Sequence, residues 1–244
     1  MKRCIVTYAD GAHEELLDVA LPTYRAFAEK HGYDLLVTRG KMPDHLIDDD
    51  VGIPSQWNKI PLLLDALERY DEAVWFDCDL VVVDPIQDFP PLNAMEHSHS
   101  LVRHYAWQSE VPNTGVWRVN KSVDVLLRQM SQLTVFRDHG WWEQAALMTL
   151  MGYTVPTQGS DFRDTKCKNV VQTQWYNACQ FMRLCWNSHP NYRADHPRIV
   201  HCSYPDMARR LEVMRALVKD PDYDYPRYNV REEKEGDDEE SKNN

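Results

Sequence analysis

Nine glycines in 244 residues, none of them gathered into a glycine-rich phosphate loop, exclude the commonest nucleotide cradle; a phosphate bound by this chain needs another partner. No window approaches the roughly 18 apolar residues of a membrane-spanning helix. The opening MKRCIVTYAD reaches Asp10 before a signal-length apolar run accumulates, so neither a leader nor a membrane segment is expected. The six cysteines, Cys4, Cys78, Cys167, Cys179, Cys185 and Cys202, contain no Cys-x-x-Cys spacing, which points to reduced thiols and a cytoplasmic protein. Positive charge is short as well, with 27 Lys and Arg against 38 Asp and Glu, so the chain has no general basic footprint for nucleic acid. Part of the excess is local: 231–242, REEKEGDDEESK, holds seven acidic and three basic residues. Residues 231–244 are read as an acidic, solvated and disordered tail.

What remains, 1–230, suits one α/β domain, and an apolar content of 43% is enough for a sizeable core. Short β-branched and aromatic runs at 3–8, 33–38, 73–84, 100–105, 114–120 and 198–202 read as strands. Between them, helical spacing recurs over 13–31, where Pro22 predicts a kink or break and Gly32 a stop, and over 57–71, with Pro61 in the first turns. VDVLLRQM and EQAALMTLMG are helical in pattern, and MARRLEVMRALVKD near the C-terminus can be so. Strands alternating with helices predict a parallel or mixed sheet of the doubly wound kind.

The run 73–84, AVWFDCDLVVVD, sets Asp77 and Asp79 inside a strand whose apolar character implies burial on both faces. In extended backbone, residues two apart project to one side, so both carboxylates can face one cation while Cys78 points into the core. Such hard oxygen ligands suit Mg²⁺ or Mn²⁺, and a divalent ion there could screen a diphosphate without a phosphate loop. The plainer reading is a pair of strand-end aspartates that cap a helix or bind an arginine.

Around that pair stand WNKIPLLLDAL before it, then NTGVW at 113–117, WWEQAAL at 141–147 and RIVHC at 198–202. In this order the blocks resemble nucleotide-sugar glycosyltransferases of the GT-A (Rossmann-like) fold. They are most similar to the retaining galactosyltransferase family, with fungal α-mannosyltransferases and plant xyloglucan xylosyltransferases, and to glycogenin-like enzymes. The resemblance spans about 3–205 and implies a metal-dependent transfer of a sugar from a nucleotide-diphosphate sugar to an acceptor hydroxyl, with retention. It places Asp77, Asp79 and His201 at the metal, and the imidazole favours Mn²⁺ over Mg²⁺. Taken alone, His201 is an ordinary strand-end histidine.

The same resemblance implies donor contacts from Thr7, Tyr8 and Asp10 at the base and from Lys59 beside the diphosphate. Asn113 and Gly115 would face the donor sugar, with Glu143 and Gln144 reaching it at the reacting centre. Each has a structural alternative: a buried tyrosine, a turn aspartate, a solvated first-turn lysine, or helix-start acids held by the dipole. Where this chain has Glu143 the family often has Asp. Trp57 is read as packing, HSH at 97–99 as a loop, Trp141 and Trp142 as a carbohydrate-stacking surface, and Trp175 and Asn177 as candidates for the acceptor side, with packing the plainer role for Trp175.

A UDP-sugar is the favoured donor and a glycan, small molecule or protein the favoured acceptor. A hydroxylated base in DNA is the alternative acceptor, for which Arg209, Arg210 and Lys219 on one helix face would be the contact. Two competing readings stand beside the transferase. FDCDLVVVD also resembles the first motif of haloacid-dehalogenase-type phosphatases, with Asp77 as nucleophile, although Leu80, Val81 and Val82 stand where a Thr or Ser would be expected. A non-catalytic nucleotide-sugar-binding module is the other.

Overall fold

The computed structural model describes residues 1–46, 54–106, 109–155 and 167–227; the acidic tail 231–244 lies outside them. The strands are β1 (Arg3–Ala9), β2 (Asp34–Arg39), β3 (Glu72–Phe76), β4 (Leu80–Val82), β5 (His99–Ala106), β6 (Ser109–Asn120), β7 (Cys179–Met182) and β8 (Ile199–His201). The helices are α1 (His13–His31), α2 (Lys59–Arg69), α3 (Asp124–Ser131), α4 (Trp142–Leu150), α5 (Gln174–Asn177) and α6 (Met207–Lys219). Six strands form one sheet in the order β2-β1-β3-β6-β5-β7. Pairing is parallel for β1 with β2 and β3 and for β5 with β7, and antiparallel for β6 with β3 and β5. The mixed, mostly parallel sheet is thus as expected.

Both faces of this sheet are covered, and the strand alternation shows how. Along β1, Cys4, Val6 and Tyr8 pack with α2, α3 and α4, while Ile5 and Ala9 pack with α1 and α6. Ala73 and Trp75 of β3 join the first core, and Val74 and Phe76 the second. A strand buried on both sides reads as a continuous apolar run.

That is why 73–84 looks like one strand, and it is not one. β3 stops at Phe76, Asp77–Asp79 form a turn, and β4 leaves the main sheet to pair antiparallel with β8. The break that Pro22 could have caused does not occur either, because α1 runs without interruption through it. Pro22 and Asp18, whose carbonyl loses its helical donor, both face solvent, where water can satisfy that oxygen. Gly32 ends the helix as expected, in the left-handed region at φ 70°, with its N–H on Ala28 O.

The HSH segment is not a loop throughout, since His99 opens β5 and is fully buried. Its Nδ1 accepts from Trp117 Nε1 at 3.1 Å and its Nε2 donates to Trp175 O at 3.0 Å. Burial lowers its pKa to about 4. The folded chain therefore binds fewer protons here than the unfolded chain between about pH 4 and the ordinary histidine value near 6.5, and stability rises with pH across that window. As pH falls from about 6.5 to 4, His99 should cost up to about 3 kcal/mol of stability. Urea unfolding at a series of pH values should show a smaller acid loss in His99→Gln than in the native chain. Equal acid losses would refute the assignment.

Candidate active site

A cleft of about 460 Å³ opens beyond the C-terminal ends of β1 and β3, with Asp10 following the first and Asp77 the second. This is where ligands bind in open α/β sheets. Asp77, Asp79 and His201 bring one ligand atom each to within 4.8 Å of one another. The chain secures this geometry locally: Leu80 pairs with His201 across β4 and β8, Cys202 N donates to Asp79 O at 2.9 Å, and Asp77 N donates to Gly115 O at 2.9 Å. The carboxylates converge from a turn between two sheets, not from extended backbone as the spacing suggested. Cys78, between them, packs against the core beside α1.

His201 Nε2 lies 3.2 Å from Asp79 Oδ1 and 3.8 Å from Asp77 Oδ2. Arg210 Nη1 reaches Asp79 Oδ2 at 3.1 Å, and its Nε donates to Tyr204 O. Burial by itself would raise the Asp79 carboxyl, but the charges of His201 and Arg210 outweigh it and hold the group below the usual range. Burial likewise opposes the charged form of His201, and Asp79 and Asp77 overcome it and raise its pKa. Two carboxylates and one imidazole form a donor set that fits a small divalent cation.

Lys59 is not the solvated lysine its position suggested. It is buried, and its Nζ meets Glu143 Oε1 at 2.5 Å, Thr114 Oγ1 at 3.1 Å, Thr114 O at 3.2 Å and Asp77 Oδ1 at 3.2 Å. An ammonium has three N–H donors, so these acceptors saturate it, and its charged partners are Glu143 and Asp77. Glu143 is correspondingly engaged, accepting from Lys59 and from Thr114 Oγ1 at 2.9 Å, while Gln144 Oε1 accepts from Thr114 N at 3.2 Å. Both line the cleft, pinned to β6 at the start of α4. Trp142, the first residue of that helix, has φ 40°, a backbone conformation that bulky residues adopt at a cost. It lines the cleft with Trp141.

Gly115 does admit a close approach, but what approaches is protein. A Cβ there would stand 2.5 Å from His201 Cε1 and 2.6 Å from Nδ1, so the missing side chain makes room for the His201 ring. Asn113 and Tyr8 line the cleft with Asp10, and the Tyr8 hydroxyl donates to Gly40 O at 2.7 Å. Thr7 is not brought to the cleft. One residue short of it on β1, its side chain points into the sheet's other core, fully buried, with no hydrogen-bond partner for Oγ1 among the described residues.

Trp175 is half-buried against the core that holds α3 and α4, its Nε1 donating to Gln129 Oε1 at 3.0 Å, and neither it nor Asn177 lines the cleft.

The residues that sequence reasoning missed come from the C-terminal third and from β5. Arg210 was grouped with Arg209 and Lys219 as one basic face. Nine residues at about 100° each put Arg210 and Lys219 on opposite sides of a helix, and Arg210 turns into the cleft while Arg209 pairs with Glu212 at 2.5 Å. His104, His189 and Tyr192 cluster on the wall beside His201, with ring centroids 5.1 to 5.6 Å apart. Burial holds His104 near a pKa of about 4 and His189 well below its usual value, so both are neutral. Asn187, considered below, carries no motif at all.

No family model matches the chain, and no curated protein matches its sequence. Solved structures do match. A glycosyltransferase involved in glycosylation of the major capsid of the virus PBCV-1 is 16% identical over 88% of this chain and 100% of its own, with a TM-score of 0.62. The galactosyltransferase LgtC, in complex with donor and acceptor sugar analogs, is 13% identical over 95% and 99%, with a TM-score of 0.56. GlyE of Streptococcus pneumoniae is 14% identical over 89% of this chain and 60% of its own, with a TM-score of 0.53. At these identities the likeness is one of architecture: the chain has the fold of the GT-A glycosyltransferases, with an Asp-Asp-His group that can hold a metal at its cleft.

Proposed function

We propose that this chain is a metal-dependent glycosyltransferase that moves a sugar from a nucleotide-diphosphate sugar, UDP-linked by preference, to an acceptor hydroxyl with retention. One observation carries the reading: Asp77, Asp79 and His201 converge, with Arg210 beside them, at the cleft of a GT-A fold. Asp77, Asp79 and His201 would hold Mn²⁺ or Mg²⁺. When bound, the cation supplies charge to stabilise a departing diphosphate.

The chain's own groups do the rest. Tyr8 and Asp10, at the end of β1, face the nucleotide. Arg210 supplies a guanidinium at the diphosphate, a role that saturated Lys59 cannot take. Glu143 and Gln144 stand where the donor sugar would lie, and Asn113 borders it. As the anomeric C–O bond to phosphate breaks, a bond forms from the acceptor oxygen to the anomeric carbon on the same face. The acceptor proton passes to the departing phosphate oxygen, so no protein base is required, and positive charge on the sugar ring is steadied by the polar groups around it.

The acceptor is proposed to be a glycan, small molecule or protein side chain. The fold match to LgtC, solved with donor and acceptor sugar analogs, favours a sugar-bearing one. A hydroxylated DNA base loses the support of a continuous basic face on α6. The phosphatase alternative gains nothing from the fold matches reported above, which are to glycosyltransferases.

The test is incubation with UDP- and GDP-linked glucose, galactose, xylose and mannose, with Mn²⁺ or EDTA. Mn²⁺-dependent sugar release or transfer is expected, with the product's anomeric configuration read by NMR. The absence of both turnover and a thermal shift with every donor would sink the transferase, and an inverted product would sink retention.

A further inference from the structure

Asn187 is fully buried beside the metal-ligand group, and besides its N–H bond to Leu184 O three polar contacts fix it there. Its Nδ2 meets Asn113 Oδ1 at 2.6 Å, its Oδ1 lies 3.2 Å from His201 Nδ1, and its backbone carbonyl accepts from His104 Nε2 at 2.7 Å. Amide orientations and imidazole tautomers follow from the hydrogen-bond network around them, and this network contains one group with no choice. The backbone N–H of Gly115 can only donate, and it meets the Asn113 side chain at 2.9 Å, so the Asn113 atom there is the oxygen. That oxygen requires a donor from Asn187, which turns Nδ2 toward Asn113 and leaves Oδ1 toward His201. An amide oxygen can only accept. His201 Nδ1 therefore carries a hydrogen, and Nε2 is the ring atom that faces Asp77 and Asp79.

We propose that Asn187 is a positioning residue of the metal centre: it holds the His201 ring as the Nδ1–H form, with Nε2 free to bind the cation. Asn113 passes the constraint from the Gly115 backbone, and the absent side chain of Gly115 gives the ring its seat. The arrangement has the logic of metal-ligating histidines, whose second nitrogen donates to a fixed acceptor that sets ring angle and tautomer. A buried amide held only for packing would not need its acceptor aimed at a ligand ring, since an apolar side chain such as leucine, of the same branching, packs without a polar group to satisfy. This inference rests on the metal reading above and extends it to a residue outside every sequence block that pointed to the site.

Two measurements test it. Calorimetric titration with Mn²⁺ alone should show Asn187→Leu binding about 10- to 100-fold more weakly than the native chain, the range for loss of such an outer partner. Long-range ¹H–¹⁵N NMR on ¹⁵N-histidine-labelled native protein loaded with ¹¹³Cd²⁺ needs no substitution, so it decides the matter even where the variant does not fold. It should show cadmium coupled to His201 Nε2 and a hydrogen on Nδ1. A native chain that binds neither Mn²⁺ nor Cd²⁺ removes the metal reading, and this inference with it. A native chain that binds, with Asn187→Leu binding equally tightly or with cadmium coupled to Nδ1, overturns the role of Asn187 and leaves the metal reading intact.

Discussion

Asp79→Asn is expected to abolish Mn²⁺-dependent binding of nucleotide diphosphate while leaving a folded protein. The substitution keeps the volume of the side chain and an oxygen that can accept from Arg210, now 3.1 Å from the carboxylate. It removes the negative charge that faces His201 and that would face a bound cation. An amide is a far weaker ligand for a hard divalent ion than a carboxylate. If the cation supplies several kcal/mol of transition-state stabilisation, its loss corresponds to roughly 10³-fold in kcat/KM, at about 1.4 kcal/mol per factor of ten. Arg210 offers the opposing effect, since weakening its ion pair makes a donor more available to phosphate, but one charge-assisted bond is worth about 1.5–3 kcal/mol. The metal term wins. Calorimetry with UDP and Mn²⁺, run beside a thermal melt, reads the result. Undiminished binding by a folded Asp79→Asn protein would remove Asp79 from the metal.

The architecture was legible because its signals are local. Apolar runs and helical spacing place β1, β2, α1, α2 and most later elements close to where they stand, and Asp77, Asp79 and His201 do meet. The errors have physical causes. A strand buried on both faces has no alternation, so nothing in AVWFDCDLVVVD marks the change of sheet at Asp77. The turn there contains neither glycine nor proline. A proline inside a helical pattern predicts a break unless the solvent-facing side is known, and only the fold shows that Pro22 and Asp18 lie there.

Site residues divide by the distance of their partners. Lys59 looks like a solvated lysine until Glu143, 84 positions later, is brought against it. Gly115 reads as a turn glycine or a sugar-facing gap until the His201 ring is seen against it. Arg210 was legible in part: the helical pattern was read, yet the same 100° step that defines it separates Arg210 from Lys219. Asn187, His104 and His189 gave no signal, because the contacts that define them belong to segments joined only in three dimensions.

Lys59→Met is expected to cost the fold about 3–5 kcal/mol, the usual result of removing one partner from a buried charge pair. Burial disfavours the ammonium, but Asp77 and Glu143 more than offset it and raise the Lys59 pKa. The charge is therefore present throughout the neutral range. Its removal strands Glu143, whose side chain is 5% exposed, without a cation at 2.5 Å. Asp77 suffers less, being 29% exposed and still holding Trp75 Nε1 at 2.5 Å. Most of the penalty therefore lies at Glu143, and the double variant Lys59→Met with Glu143→Leu should recover more than half of it, as replacement of buried ion pairs by apolar groups often does. Urea unfolding supplies both values, and at about 2–4 °C per kcal/mol for a chain of this size the single variant should melt roughly 10 °C lower. A single variant within about 1 kcal/mol of the native chain would place Lys59 among ordinary surface pairs. Failure of the double variant to recover would move the penalty from Glu143 to Asp77. Because Trp75 still anchors Asp77, the folded fraction of Lys59→Met should lose less Mn²⁺ affinity than Asp79→Asn, which separates a residue that holds the site's walls together from one that holds its metal.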